Sequence, residues 1–222
     1  MDFIFMLTNH DRTVDGALAV LEGLGASGLT HVGFKDVGAT PQQQRELADV
    51  AHAAGMTVYL EVVSISAEAE LASVIAARDA GVDWILGGTN PEPALEVLAG
   101  TGIHYAPFPG RIVGHPSVLE GSIEEIAADA ARLTAMDGVS GVDLLAYRHH
   151  TVDPLELTRA VVSSTRGPVV AAGSVVTRDQ VVGLKQAGAA AFTIGSAIFD
   201  NRLPGGDVAG QVRTALDWAA QA

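Results

Sequence analysis

Cysteine is absent from the 222 residues, so neither a disulfide framework nor a thiolate metal site is available. Aromatic residues are scarce, 5% of a chain that is 48% hydrophobic. The core must therefore be built from Val, Ile, Leu and Ala, which suits parallel strands buried on both faces. Positive charge is scarce too. Thirteen Lys and Arg face 26 Asp and Glu, and the resulting net charge of −13 argues against nucleic acid or an anionic membrane surface as partner. No apolar run approaches a membrane span. The opening MDFIFMLTNHD has an early Asp and no basic stretch, unlike a signal peptide, so a soluble, cytoplasmic protein is expected. High apolar content with modest charge excludes a disordered chain.

What the chain does have is a repeat, of about 25–30 residues, close to one β/α unit. Strands are predicted at Phe3–Leu7, His31–Lys35, Thr57–Val62, Trp84–Gly87, Ile103–Pro107, Val142–Tyr147, Val169–Ala172 and Ala191–Ile194. Helix starts are signalled by Thr40-Pro41 with Gln43, Asn90-Pro91, Ser122 with Glu125, Asp153-Pro154 with Glu156, and Thr177 with Gln180. Glycines at 28, 55, 81, 102 and 188 mark helix ends. Eight strands alternating with eight helices imply one domain over residues 1–222, a single (β/α)8 (TIM) barrel with a short extra helix, Ser196–Phe199, after strand eight. An open doubly wound sheet is the alternative. The Gly- and Pro-rich stretch Phe108–Gly121 exceeds what a connection needs and is a candidate lid or interface loop.

In such a barrel the chemistry sits where strands exit into helices. Lys35 and Lys185 are the only lysines, and Lys35 ends an apolar strand as GFKD. A lysine, unlike an arginine, can give up its proton or form a Schiff base. The competing reading is a structural ion pair. Glu61 closes TVYLE, where a carboxylate needs a partner, and Lys35 on the adjacent strand would supply one. Such a pair can exchange a proton or merely stiffen the barrel. Arg148 and His149 follow strand six, and alternation allows only one of them to face inward. Asp83 and Asp143 begin strands and are assigned to the opposite, stability face. His10, Asp11, His149 and His150 lack metal-ligand spacing, so no metal is expected. Arg111, in the long loop, either closes over an anion or forms a rim salt bridge.

The last quarter of the chain holds two small-residue turns, Gly173-Ser174 and Gly195-Ser196, each following a short apolar run and leading into helical sequence. Glycine lets the backbone approach a ligand, and opening helices present N–H groups to an anion. Through Ala172-Gly173-Ser174 and Gly195-Ser196-Ala197-Ile198-Phe199 the chain resembles the ribulose-phosphate-binding barrel superfamily. That resemblance implies phosphate binding at Gly173, Ser174, Gly195 and Ser196. It does not settle a reaction. Strands two and three end in Lys-Asp and Glu rather than the ligands of metal-dependent epimerases, strand five lacks the aspartate of histidine-pathway isomerases, and strand three lacks the Asp-x-Lys of the decarboxylases. The strand-two lysine is similar to that of furan-methyl-phosphate synthases.

The expectation is a metal- and cofactor-independent enzyme acting at or next to the carbonyl of a small phosphorylated metabolite. It would be a lyase of aldolase type or an isomerase, with Lys35 as Schiff-base or electrophilic amine and Glu61 as acid/base. A non-catalytic phosphometabolite-binding barrel and an FMN enzyme using the same phosphate site are the alternatives. A homo-oligomer is possible.

Overall fold

A computed structural model of the chain describes residues 1–25 and 27–222. Eight strands form one parallel sheet: β1 (Asp2–Met6), β2 (His31–Lys35), β3 (Thr57–Val62), β4 (Trp84–Gly87), β5 (His104–Ala106), β6 (Val142–Leu144), β7 (Val169–Ala171) and β8 (Ala191–Ile194). Their spatial order is β6-β7-β8-β1-β2-β3-β4-β5. The seam between β5 and β6 is stitched by Ser140 N donating to Tyr105 O (2.7 Å) and Asp143 N donating to Pro107 O (3.0 Å), which brings the sheet round into a barrel.

The helices are α1 (Ala17–Glu22), α2 (Pro41–Ala53), α3 (Ala67–Ala80), α4 (Pro91–Leu98), α5 (Ile123–Leu133), α6 (Pro154–Ser164), α7 (Arg178–Gln186), α8 (Ser196–Phe199) and α9 (Val208–Gln221). Three of them start in complete capping boxes, Thr40 with Gln43, Ser122 with Glu125 and Thr177 with Gln180. Asn90 does not cap α4. The buried Glu70 of α3 instead accepts from Asn90 Nδ2 and from the backbone N–H groups of Thr89 and Asn90, because a carboxylate taken out of water needs every donor within reach.

Strand alternation divides the core. Phe3, Phe5, Val32, Phe34, Val58 and Leu60 face the helices, while Ile4, Met6, Tyr59, Leu86, Ala106 and Val170 pack inside the barrel. Both faces are buried, so the strands read as nearly continuous apolar runs. By the same alternation Lys35, Glu61 and Asp143, two residues on from inward positions or flanked by outward ones, point inward.

Two predicted elements differ. Strand six stops at Leu144, and Ala146–Arg148 forms a 3-10 turn. Leu145 and Ala146 remain buried, so hydrophobicity alone reads the turn as more strand. Residues 108–121 are an antiparallel hairpin, pairing Arg111–Val113 with Val118–Glu120, rather than an irregular loop. Arg111 is paired with Glu120 across that hairpin. A second small hairpin, Thr8–Asn9 with Arg12–Thr13, carries His10 and Asp11 at its tip, both at positive φ (47° and 57°). Asp tolerates that region because its short side chain can bond locally.

Candidate active site

At the exit ends of the strands lies a cavity of about 120 Å3. Lys35, Glu61, Asp11, Arg148 and Thr8 line one part of it. Gly173, Ser174, Gly195, Ser196 and Arg202 line another.

The charged part is a tight network. Lys35 Nζ lies 2.8 Å from Asp11 Oδ1 and 3.1 Å from Glu61 Oε1, with all three side chains under 5% exposed. β2 and β3 place Lys35 directly beside Glu61 in register, so that pairing follows from the sheet. Asp11 also accepts from Arg148 through both terminal nitrogens, at 2.5 and 2.7 Å, and from Ser117 N at 2.9 Å. Arg148 Nη1 in turn donates to Ser117 O (3.2 Å), tying the 108–121 hairpin to the site. Burial works against ionisation of Asp11, but hydrogen bonding to Arg148 and the charge of Lys35 outweigh it and hold the carboxyl well below its ordinary range. Burial likewise works against the Arg148 cation. Asp11 first, through its hydrogen bonds and charge, and then Glu61 more than restore it.

The two small-residue turns complete the wall. Gly173 and Ser174 follow β7 at φ 75° and 60°. A Cβ on Gly173 would overlap Nε of Arg148, so this glycine is what lets the guanidinium pack against the turn. At Gly195, a Cβ would come within 2.6 Å of Thr8 Oγ1. Ser196 Oγ accepts from His10 N (3.0 Å), linking the β1 and β8 exits. Among the described residues, the backbone N–H groups of Gly173, Ser174, Val175 and Gly195 donate to nothing in the chain.

Not every residue singled out in the sequence lines this cavity. Arg148 turns inward, whereas His149 points away: its Nε2 meets Gly121 O (2.8 Å) and its Nδ1 accepts from Thr151 N, anchoring the hairpin. Arg148 closes the 3-10 turn whereas His149 leaves it in extended backbone, which sends the two side chains to different sides. Asp83 does sit at the far end, bonded to Val58 N and His52. Asp143 does not. It is completely buried and faces Glu61, Lys35, Arg148 and Asp11, a correction to its assignment to the stability face. Sitting second in Val142-Asp143-Leu144, between two helix-facing residues, it had to point inward; counting alternation from the neighbours would have found it. Ser117 and Arg202 were also missed, and Asp11 was weighed only as a metal ligand. Asp11 is consumed by two cations rather than by a metal-ligating group, and no cluster of three or more His, Cys, Asp or Glu able to hold a metal forms among the described residues.

No protein-family model and no curated protein sequence matches the chain. Solved structures do. Orotidine 5′-phosphate decarboxylase from Pyrococcus horikoshii OT3 superposes with a TM-score of 0.68 at 12% identity, over 98% of this chain and 99% of that one. An HpcH/HpaI aldolase from Desulfitobacterium hafniense DCB-2 gives 0.64 at 11%, over 90% and 88%. The N-acetylmannosamine-6-phosphate 2-epimerase from Clostridium perfringens gives 0.61 at 11%, over 89% and 87%. The chain shares their fold, a (β/α)8 barrel. At these identities the likeness speaks for architecture and leaves chemistry to the residues. No helix among the described residues is long and apolar enough to cross a membrane.

Proposed function

We propose that this barrel is an enzyme acting at or next to the carbonyl of a small phosphorylated metabolite, with Lys35 as its amine and Glu61 as its acid/base. The observation that carries the reading is the meeting, in one small cavity, of a buried primary amine paired with a carboxylate and two glycine turns with undonated amides. Phosphorylated substrates named for two structural neighbours, the decarboxylase and the epimerase, support it through the shared fold.

The phosphate would take the N–H groups of Gly173, Ser174 and Gly195, with Arg202 neutralising charge at the rim. Holding the phosphate there fixes the carbonyl beside Lys35 and removes much of the entropic cost of bringing it to the amine. Glu61, 3.1 Å from Nζ, takes the ammonium proton. The free amine then adds to the carbonyl carbon. Loss of water, its oxygen from the carbonyl, leaves an iminium that accepts the electron pair of an adjacent C–C or C–H bond as that bond breaks. Kept as an ammonium, Lys35 would polarise the carbonyl instead and serve an isomerase. Asp11 holds Lys35 and Arg148 in place in either case.

Borohydride reduction in the presence of glyceraldehyde 3-phosphate or dihydroxyacetone phosphate tests the iminium. A stable adduct on Lys35 but not Lys185, absent from Lys35→Arg, is the expected result. Turnover with no adduct would replace the iminium by the polarising role. Inorganic phosphate that fails to raise the melting temperature would sink the cradle itself.

A further inference from the structure

Beneath the Lys35–Glu61 pair, β6 contributes a carboxyl that the mechanism above does not use. Asp143 is 0% exposed, and neither of its oxygens has a hydrogen-bond partner among the described residues. The charged groups that face it are Glu61 from β3, Lys35 from β2, Arg148 from the turn after β6, and Asp11 from the hairpin after β1. These four already balance. Lys35 is shared by Glu61 and Asp11, and Arg148 is held bidentately by Asp11, giving two cations to two anions. A third carboxylate would be surplus charge in a dry interior without a single donor, which is the least favourable state for the group. The neutral acid, though its own polar atoms are also unpartnered, costs far less to bury than the ion.

We propose that Asp143 is a positioning residue for the amine and its base: it rests as the protonated acid and so keeps the site at two negative charges, one of them Glu61. Were Asp143 ionised, three carboxylates would surround Lys35 and favour its ammonium over the free amine. Carrying the proton, Asp143 leaves Lys35 able to release its own to Glu61. Burial first, and then the negative charge of Glu61, push the Asp143 carboxyl well above its ordinary range, and the charges of Lys35 and Arg148 only partly oppose them. The role in catalysis rests on the reading of Lys35 and Glu61 given above, whereas the resting proton is a property of the folded chain.

Infrared difference spectroscopy of the intact protein at neutral pH, wild type against Asp143→Asn, reads the proton directly without any substrate. The expected result is a protonated-carboxyl C=O band that shifts in D2O and is lost in the variant. In Glu61→Gln, which deletes the neighbouring anion, the band should disappear at lower pH than in wild type. Should Asp143→Asn fail to fold, this second variant carries the test. A merely structural Asp143 gives no such band, or one indifferent to Glu61, and either finding overturns the proposal. The second arm is reductive methylation by formaldehyde and cyanoborohydride, scored on Lys35 with Lys185 as internal reference. Its pH profile in Asp143→Asn should lack the inflection that ionisation of Asp143 gives wild type, and superimposable profiles would refute the coupling to the amine. Absence of a borohydride adduct with the sugar phosphates bears on the proposed reaction alone, so the two failures are distinguishable.

Discussion

Asp11 is the residue on which the charged network converges, and Asp11→Asn is the sharpest perturbation of it. Asparagine tolerates the positive φ of 57° at this position and keeps an oxygen for Ser117 N, but its NH2 then faces Lys35 Nζ and Arg148 Nη2, so the charge and the acceptor of those two donors are removed together. What remains is Lys35 with only Glu61, and an Arg148 whose side chain is 16% exposed and has lost its carboxylate. Breaking a buried ion pair by removing one partner costs about 3–5 kcal/mol. Against a total domain stability of ~5–15 kcal/mol that is a large fraction. The loss should be readable as a shift of the urea midpoint at pH 7 with an unchanged slope. pH supplies the control. The folded Asp11 carboxyl is held below its ordinary value, so its stabilisation is full above the unfolded pKa of about 3.9 and drains away as pH falls through the folded value. The gap between wild type and Asp11→Asn should therefore narrow below about pH 4. A loss under ~1 kcal/mol at pH 7, or a gap that does not change with acid, would refute the network as the organiser of the site. Arg148, released from its carboxylate, should also make inorganic phosphate raise the melting temperature more in the variant than in wild type.

Other expectations are simpler. Gly173→Ala places a Cβ at φ 75° and against Arg148, costing about 1–2 kcal/mol for the backbone alone and abolishing the phosphate-dependent rise in melting temperature. Asp143→Asn should gain stability over wild type as pH rises. The folded carboxyl is raised, so what it contributes is complete below the unfolded pKa and is lost with increasing pH, at a limiting ~1.4 kcal/mol per pH unit until the group ionises. Denaturant titrations at pH 5, 6 and 7 measure that slope, and a flat difference would contradict it. His149→Ala should cost about 1 kcal/mol through the lost contact to Gly121 O while leaving phosphate binding unchanged, because the ring lies outside the cavity.

The barrel was legible in the sequence because its determinants are local and repeated. Apolar runs of strand length, capping boxes at Thr40, Ser122 and Thr177, and glycines closing helices specify each β/α unit within its own neighbourhood. Closing eight parallel units then delivers their exit turns to one face, which is why Lys35, Glu61 and the two glycine turns could be placed at one mouth from their position in the repeat. The partners across that mouth are another matter. Asp11 and Arg148 are 137 residues apart, and Asp11 and Ser117 are 106 apart. Nothing in their flanking residues encodes the meeting, because it depends on the curvature of the sheet, on the small hairpin after β1 and on a turn that ends strand six early. The inward aim of Arg148 rather than His149, and the surplus of carboxylate that leaves Asp143 without a donor, were decided by that packing. Local sequence fixes which groups each strand carries to the mouth, and only the closed barrel fixes which charges must share it.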